Sequence, residues 1–288
     1  MANVRDLSRK IYSLRNMQKV MRAMNMIAST KFRKISYLQD SLKFFNEKVE
    51  ELEKDIILSF KNKGYIEIDG YDEVKKIEIV TFTADRGLCG AHNSSVLKAA
   101  DFMVETNLNN GIEAEFTSIG RKGAAFCRRN NFRIYHQTEI SEKVLTDSAL
   151  RNIADSLIGR FYSGEIQEIY FIYNEFISTL LQSTKAVRVL PLQEPDYVLT
   201  KAEEVFVEPS EQQFALHSAR ALFNYKLKTA LLNSYLSEHA SRMTAMDNAT
   251  NNSEDLINHY NKLRNKARQT TITNELIEIV AGKEAMKQ

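Results

Sequence analysis

The sequence predicts an α/β protein with long helices: an antiparallel two-helix coiled coil, built from the N- and C-terminal segments, rooted in a central three-layer α/β domain. Three observations predict it. Residues 1–63 and residues 210–281 contain neither Gly nor Pro, the two main helix interrupters, costing about 1 and 3 kcal/mol in a helix interior. All three prolines fall between positions 191 and 209. The segment between the two helical stretches alternates strand-like and helix-like texture. The expected organisation is a first helix over 1–63, a central α/β domain over 64–200, a linker over 201–209, and a second helix with a free tip over 210–288.

The first stretch carries an apolar residue at every seventh position: Leu7, Leu14, Met21, Ala28, Ile35, Leu42, Val49, Ile56. A second apolar line runs Val4, Ile11, Met17, Met24, then Leu38, Phe45, Leu52, and its change of step between Leu14 and Met17 reads as a stammer. A sustained heptad stripe implies a left-handed coiled coil. Residues 1–34 hold Arg5, Arg9, Lys10, Arg15, Lys19, Arg22, Lys31, Arg33 and Lys34 against one acid, Asp6. Cations near a helix N-terminus oppose the macrodipole, so an acidic partner is expected around them, a solvated face being the plainer alternative.

The middle segment reads as strand 74–82, helix 92–108, strand 114–119, short helix 121–129, short strand 132–136, helix 147–161, strand 168–176 and strand 186–192, with a turn near 178–184. Strand–helix alternation argues for a partly parallel sheet with helices on its faces, a Rossmann-like layering. The turn after the first strand, Asp85-Arg86-Gly87-Leu88-Cys89-Gly90 with His92 and Asn93, is glycine-rich but has neither a G-x-G-x-x-G nor a phosphate-loop lysine. It is read as a tight turn in which Asp85 and Asn93 accept from backbone N–H groups, in preference to a nucleotide cradle or a Cys89–His92 nucleophile pair. Gly120-Arg121-Lys122-Gly123 is read the same way, as a strand-to-helix turn. Residues 193–209 read as an irregular linker.

The second helix is expected to start at Ser210 and stop at Gly282. At ~1.5 Å per residue it spans about 105 Å, too long for a compact domain to wrap, so it pairs with the first. Both helices root in the middle domain, which makes the pair antiparallel and leaves the end of the second projecting alone. That tip is apolar along Ile272, Leu276 and Ile279, with Ile277 and Val280 beside them, and an exposed apolar helix needs another protein to bury it. Lys262, Arg264, Lys266 and Arg268 precede it as a positive collar.

Composition excludes several classes. With 43% apolar and 26% charged residues and a net charge of +2, the chain is ordinary for a globular protein. No segment approaches the ~18 uninterrupted apolar residues of a membrane span. The two cysteines, Cys89 and Cys127, stand far apart, as reduced thiols would. The histidines lack metal-ligand spacing, and no triad or paired-carboxylate signature occurs. The chain by itself is not expected to be an enzyme, nor to need a cofactor or metal. The collar also lacks the interleaved aromatics of a single-strand nucleic-acid binder.

Three motifs carry a resemblance along nearly the whole chain: MQKVMRAMNMIA over 17–28, continuing STKFRK; DRGLCG over 85–90 with Asn93; and SEHASRMTAM over 237–246 leading to NKARQTTITNELIEIVAG over 265–282. With them the chain resembles the gamma-subunit family of the rotary F-type ATP synthase. The family usually places Ala after the final Gly, where this chain has Lys283. The resemblance implies a central shaft inside a ring of alpha and beta subunits, with the middle domain as a foot on the membrane c-ring and bound to the epsilon subunit. It implies that Arg268, Gln269, Thr273 and Glu275 contact a beta subunit. Lys19, Arg22, Arg33, Lys34, Lys262, Arg264 and Lys266 would give the shaft its basic surface, and Ile272, Leu276, Ile277, Ile279 and Val280 a hydrophobic bearing. Val205, Phe206, Val207 and Glu208 would face the c-ring and epsilon. A helix starting at the N-terminus favours a bacterial source and a peripheral place on the cytoplasmic face of the inner membrane, held only through the complex. The alternative reading is a coiled-coil tether or adaptor with an α/β head.

Overall fold

The computed structural model describes residues 4–60, 63–139, 147–192 and 210–285. The order is α1 (Val4–Phe60), α2 (Ile66–Asp69), β1 (Lys76–Phe82), α3 (His92–Asn109), β2 (Glu113–Ile119), α4 (Arg121–Arg129), β3 (Arg133–Thr138), α5 (Asp147–Tyr162), β4 (Glu168–Phe176), β5 (Gln182–Leu190) and α6 (Glu211–Ala285). The chain divides into two compact units: Met1–Ala28 with Met243–Gln288, and Ser29–Arg242.

The larger unit holds the sheet, in the order β3-β2-β1-β4-β5. Strands β1, β2, β3 and β4 run parallel, and β5 closes one edge antiparallel to β4. The turn between β4 and β5 is tighter than expected, so β5 begins at Gln182 rather than near 186. The short α2 escaped the sequence reading because four residues give no periodicity. One face of the sheet (Ile77, Ile79, Phe116, Ile172) packs on Val96 and Ala100 of α3 and Phe126 and Cys127 of α4. The other (Val80, Phe82, Ile119, Ile169, Phe171, Val189) packs on α5, on Ile56, Ile57 and Phe60 of α1, and on Leu222, Phe223 and Leu227 of α6. Each such side chain, fully buried, contributes about 1.5–3 kcal/mol. The helices of this unit are antiparallel: Lys226 pairs with Glu53, and Lys63 lies 2.9 Å from Glu211.

A buried ionic cluster sits within the sheet. Glu78 and Glu115 are directly opposite on β1 and β2, a like-charge pairing that alone would destabilise the sheet. Arg160 of α5 reaches both, with 2.5 Å to Glu78. Thr117 donates to Glu78 at 2.7 Å, and Lys76 stands 3.1 Å from Glu115. Burial pushes the Glu78 carboxyl up. At Glu115 burial acts the same way, but bonds from Lys76 and Arg160 carry it below the usual carboxylate range.

The smaller unit pairs the start of α1 with the second half of α6, also antiparallel. Gln18 donates to the Thr250 carbonyl at 3.5 Å, the Ser253 hydroxyl lies 3.7 Å from the Met21 sulfur, and the Lys10 ammonium lies 5.4 Å from the centre of the Tyr260 ring. Leu7 and Ala28 are buried and Leu14 and Met21 half-buried, as the seven-residue series requires, and Ile35 continues it, buried, in the larger unit. The second line needs correction. Met17, Phe45 and Leu52 are exposed, while Gln18, Asn25 and Phe32 are half-buried. The stripe therefore continues in plain heptads through Ile11, Gln18, Asn25 and Phe32, with no stammer; polar residues occupy positions that an apolar count skips. The side chains of Leu38 and Leu42 lie outside the described residues. On α6 the matching positions are Met246, Thr250, Ser253, Ile257 and Tyr260.

Helix α6 begins where expected: the Ser210 hydroxyl accepts from the Gln213 N–H at 3.3 Å, an N-cap bond. It does not stop at Gly282 but runs to Ala285. Gly costs only about 1 kcal/mol in a helix, and at an exposed end no packing opposes its continuation.

Candidate functional site

Two groups of residues invite a functional reading, one in each unit. In the smaller unit, every residue from position 271 to 283 is exposed. Ile272, Leu276, Ile277, Ile279 and Val280 are 48–67% exposed, an apolar surface that none of the described residues covers. Arg268, Gln269, Thr273 and Glu275 are exposed as well, and so are Lys262 and Lys266, whereas Arg264 is half-buried. Helical spacing brings Arg268, Ile272, Glu275 and Ile279 to one face and Gln269, Thr273, Leu276 and Val280 to the next. The Thr273 hydroxyl donates back to the Gln269 carbonyl at 2.9 Å, and Thr270 and Thr271 back-bond likewise at 3.1 and 3.0 Å. On α1, Lys19 and Arg22 point outward among exposed Tyr12, Met17, Val20, Met26 and Ile27. The sequence reading missed this second apolar surface; its signal was Met and Ile at positions outside the heptad seam. Arg33 and Lys34 are exposed on the α1 segment of the larger unit. Val205, Phe206, Val207 and Glu208 lie outside the described residues, as does the 193–209 linker.

In the larger unit, the DRGLCG turn is a lock rather than a cradle. Asn93 accepts from the Ala84 N–H at 2.8 Å, and Asp85 accepts from the Arg121 N–H at 3.0 Å. Asp85 and Asn93 thus each take a backbone N–H group as expected, but Asp85 serves α4, not the helix that follows its own turn. Gly120 (φ +108°) lies so close to the segment after β1 that a Cβ there would meet the Thr83 carbonyl oxygen at 1.8 Å, which only Gly permits.

No nucleophile pair forms in this turn. The His92 Nδ1 lies 2.9 Å from the Asn174 amide nitrogen, and Cys89 takes a hydrogen bond from the Asn93 amide at 3.1 Å. Burial raises the Cys89 thiol above its ordinary range, and burial pushes the Cys127 thiol up to about 12, the opposite of activation. His92 and His239 are both driven down to about 3 by burial, with the Arg242 guanidinium adding to it. Arg242 itself, on α6, bonds Glu238 at 2.6 Å and reaches the Gly87 carbonyl at 3.5 Å. Among the described residues no group of His, Cys, Asp or Glu could hold a metal ion, and no helix is long and apolar enough to cross a membrane.

Comparison with known proteins agrees with this geometry. A family model described as ATP synthase matches residues 3–286. The ATP synthase gamma chain of a Sulfurihydrogenibium species is 35% identical over 289 residues, covering 98% of both chains. That of Syntrophobacter fumaroxidans is 32% identical over 296 residues, covering 100% of both. Among solved structures, a chain of the Euglena gracilis mitochondrial ATP synthase in its OSCP/F1/c-ring assembly superposes with a TM-score of 0.67 at 15% identity, covering 98% of this chain and 94% of that one. A chain of the central stalk and c-ring of the Tetrahymena thermophila enzyme gives 0.60 at 24% identity, covering 80% and 99%. A matched family model over almost the full length and full-length relatives above 30% identity lead to one conclusion: the chain belongs to the ATP synthase gamma-chain family.

Proposed function

We propose that this chain works as the central rotor shaft of a bacterial ATP synthase, coupling proton-driven rotation of a c-ring to ATP synthesis or hydrolysis on surrounding alpha and beta subunits. Its partners are then alpha, beta, epsilon and the c-ring, and it sits peripherally on the cytoplasmic face of the plasma membrane, held there only by the complex. The observation that carries this reading is the exposed apolar end of α6 behind a basic collar. A sleeve with an acidic mouth and an apolar seat would bury both. Ile272, Leu276, Ile277, Ile279 and Val280 form the bearing. Lys19, Arg22, Arg33, Lys34, Lys262, Arg264 and Lys266 supply the electrostatic fit, and Val205, Phe206, Val207 and Glu208 are the candidate contacts for the c-ring and epsilon. An asymmetric shaft shifts each catalytic site between nucleotide affinities by making different contacts at each angle.

Within that surface, Arg268 and Gln269 grip an acidic loop of a beta subunit, with Thr273 and Glu275 in the same contact turn. Arg offers a planar fork of donors that matches a carboxylate. Truncating one partner of a desolvated pair costs on the order of 2–5 kcal/mol in binding, while shape still holds the shaft in place. Arg268→Ala with Gln269→Ala in the reconstituted complex should therefore assemble fully yet lose most ATP synthesis and ATP-driven proton pumping. Full assembly with wild-type synthesis and pumping would reduce the collar to a nonspecific electrostatic fit.

A further inference from the structure

Ser and Thr side chains inside a helix ordinarily turn back on their own i−4 carbonyl. Along α6, Thr250, Ser253, Thr270, Thr271 and Thr273 all do so. Three serines donate outside the helix instead. Ser234 donates to the Phe82 carbonyl at 3.2 Å, Ser237 to the Asn174 carbonyl at 3.0 Å, and Ser241 to the Cys89 carbonyl at 2.7 Å. Phe82 ends β1, Asn174 lies in the second half of β4, and Cys89 is in the DRGLCG turn. Spacings of three and four put the three hydroxyls on one helix face. Ser234 and Ser237 are 0% exposed. The row is flanked by Asn233, which accepts from the Phe176 N–H at 3.3 Å, and by Arg242 on the Gly87 carbonyl.

We infer that this serine row is a torque clamp: the positioning residues that fix α6 in rotation and in register against the C-terminal ends of the foot's strands. Apolar burial is non-directional, so a helix seated only on Leu222, Phe223 and Leu227 resists separation more than it resists turning or sliding. Hydrogen bonds from one helix face to three separate carbonyls are directional and oppose both. The glycine-rich turn then has a mechanical role, presenting two carbonyls, Gly87 and Cys89, to α6. The clamp rests on the rotor role of the family, not on which residues touch a beta subunit.

The test uses the assembled complex carrying Ser234→Ala, Ser237→Ala and Ser241→Ala together, and Ser241→Ala and Ser241→Thr singly at the half-buried position. Each lost hydroxyl should make local opening of α6 about 5-fold more frequent, read as faster hydrogen exchange over residues 230–242. Protons pumped per ATP hydrolysed should fall, with ATPase turnover retained. Ser241→Thr, which keeps the hydroxyl, should restore exchange and pumping ratio relative to Ser241→Ala; a triple variant that does not assemble leaves this pair to decide. Wild-type exchange and pumping ratio in the alanine variants, or a threonine variant no better than alanine, would overturn the clamp. Loss of pumping in the Arg268/Gln269 variant with unchanged exchange over 230–242 would mark the beta contact as separate from it.

Discussion

At the residue scale, the polar groups of the larger unit are more informative than its apolar core. His92 and His239 are buried, and their Nε2 atoms have no hydrogen-bond partner among the described residues. His239 packs its ring 4.4 Å from Tyr235 and its Nδ1 3.3 Å from the Arg242 guanidinium. Arg242 and Lys31 disfavour protonation there, while Glu238 and Asp85 are the nearby acids. The folded pKa of about 3 for each histidine lies well below the ordinary 6.5. The unfolded chain therefore takes up protons first, and stability present above pH 6.5 is lost as pH falls toward 3, at up to about 1.4 kcal/mol per pH unit per histidine. Glu238, raised by burial, acts in the opposite sense from above its ordinary carboxylate range. Urea midpoints at pH 7.5 and 5.5 should fall for the native chain, and fall distinctly less for His92→Asn with His239→Gln. Equal slopes in both would remove these histidines from the acid response.

At the element scale, the paired segments of α1 and α6 are keyed by polar residues in an otherwise apolar seam. Asn25 donates to the Met243 carbonyl at 3.3 Å and to the Asp247 carboxylate, and Gln18 reaches the Thr250 carbonyl. A polar residue at a seam position fixes register at a cost in stability. Gln18→Leu with Asn25→Leu should raise stability by on the order of 1 kcal/mol while loosening register. Cysteine pairs report this: Met21→Cys with Ser253→Cys is in register, whereas Leu14→Cys with Ser253→Cys is one heptad out. The native background should oxidise only the first pair and the leucine variant both. A leucine variant that also cross-links only in register would assign register to the apolar residues instead.

At the scale of the whole molecule, the chain carries more exposed apolar surface than a lone protein tolerates. Val20, Met26 and Ile27 on α1 and Ile272 to Val280 on α6 are all more than 45% exposed wherever they are apolar and large. Such surface belongs to interfaces. The isolated chain should bind a hydrophobic dye strongly and self-associate, and Ile272→Ser, Leu276→Gln, Ile279→Ser and Val280→Thr together should reduce both effects. A monodisperse native chain with little dye fluorescence would show that the apolar end needs no sleeve.

The long helices, the order of the strands and of the longer helices, the start of α6 at Ser210, the apolar tip and the basic collar were legible in the sequence alone. These features are local. A helix closes its hydrogen bonds four residues away, so absent Gly and Pro and a repeating apolar step suffice to announce it. The tertiary structure alone decided which strands are neighbours, that Arg160 reconciles Glu78 with Glu115, and that Gln18 and Asn25 belong to the seam. It also decided that three serines of α6 leave their own helix for carbonyls as much as 152 residues away. A buried polar group must find a partner wherever the fold supplies one, and no periodicity within the chain records which partner that is.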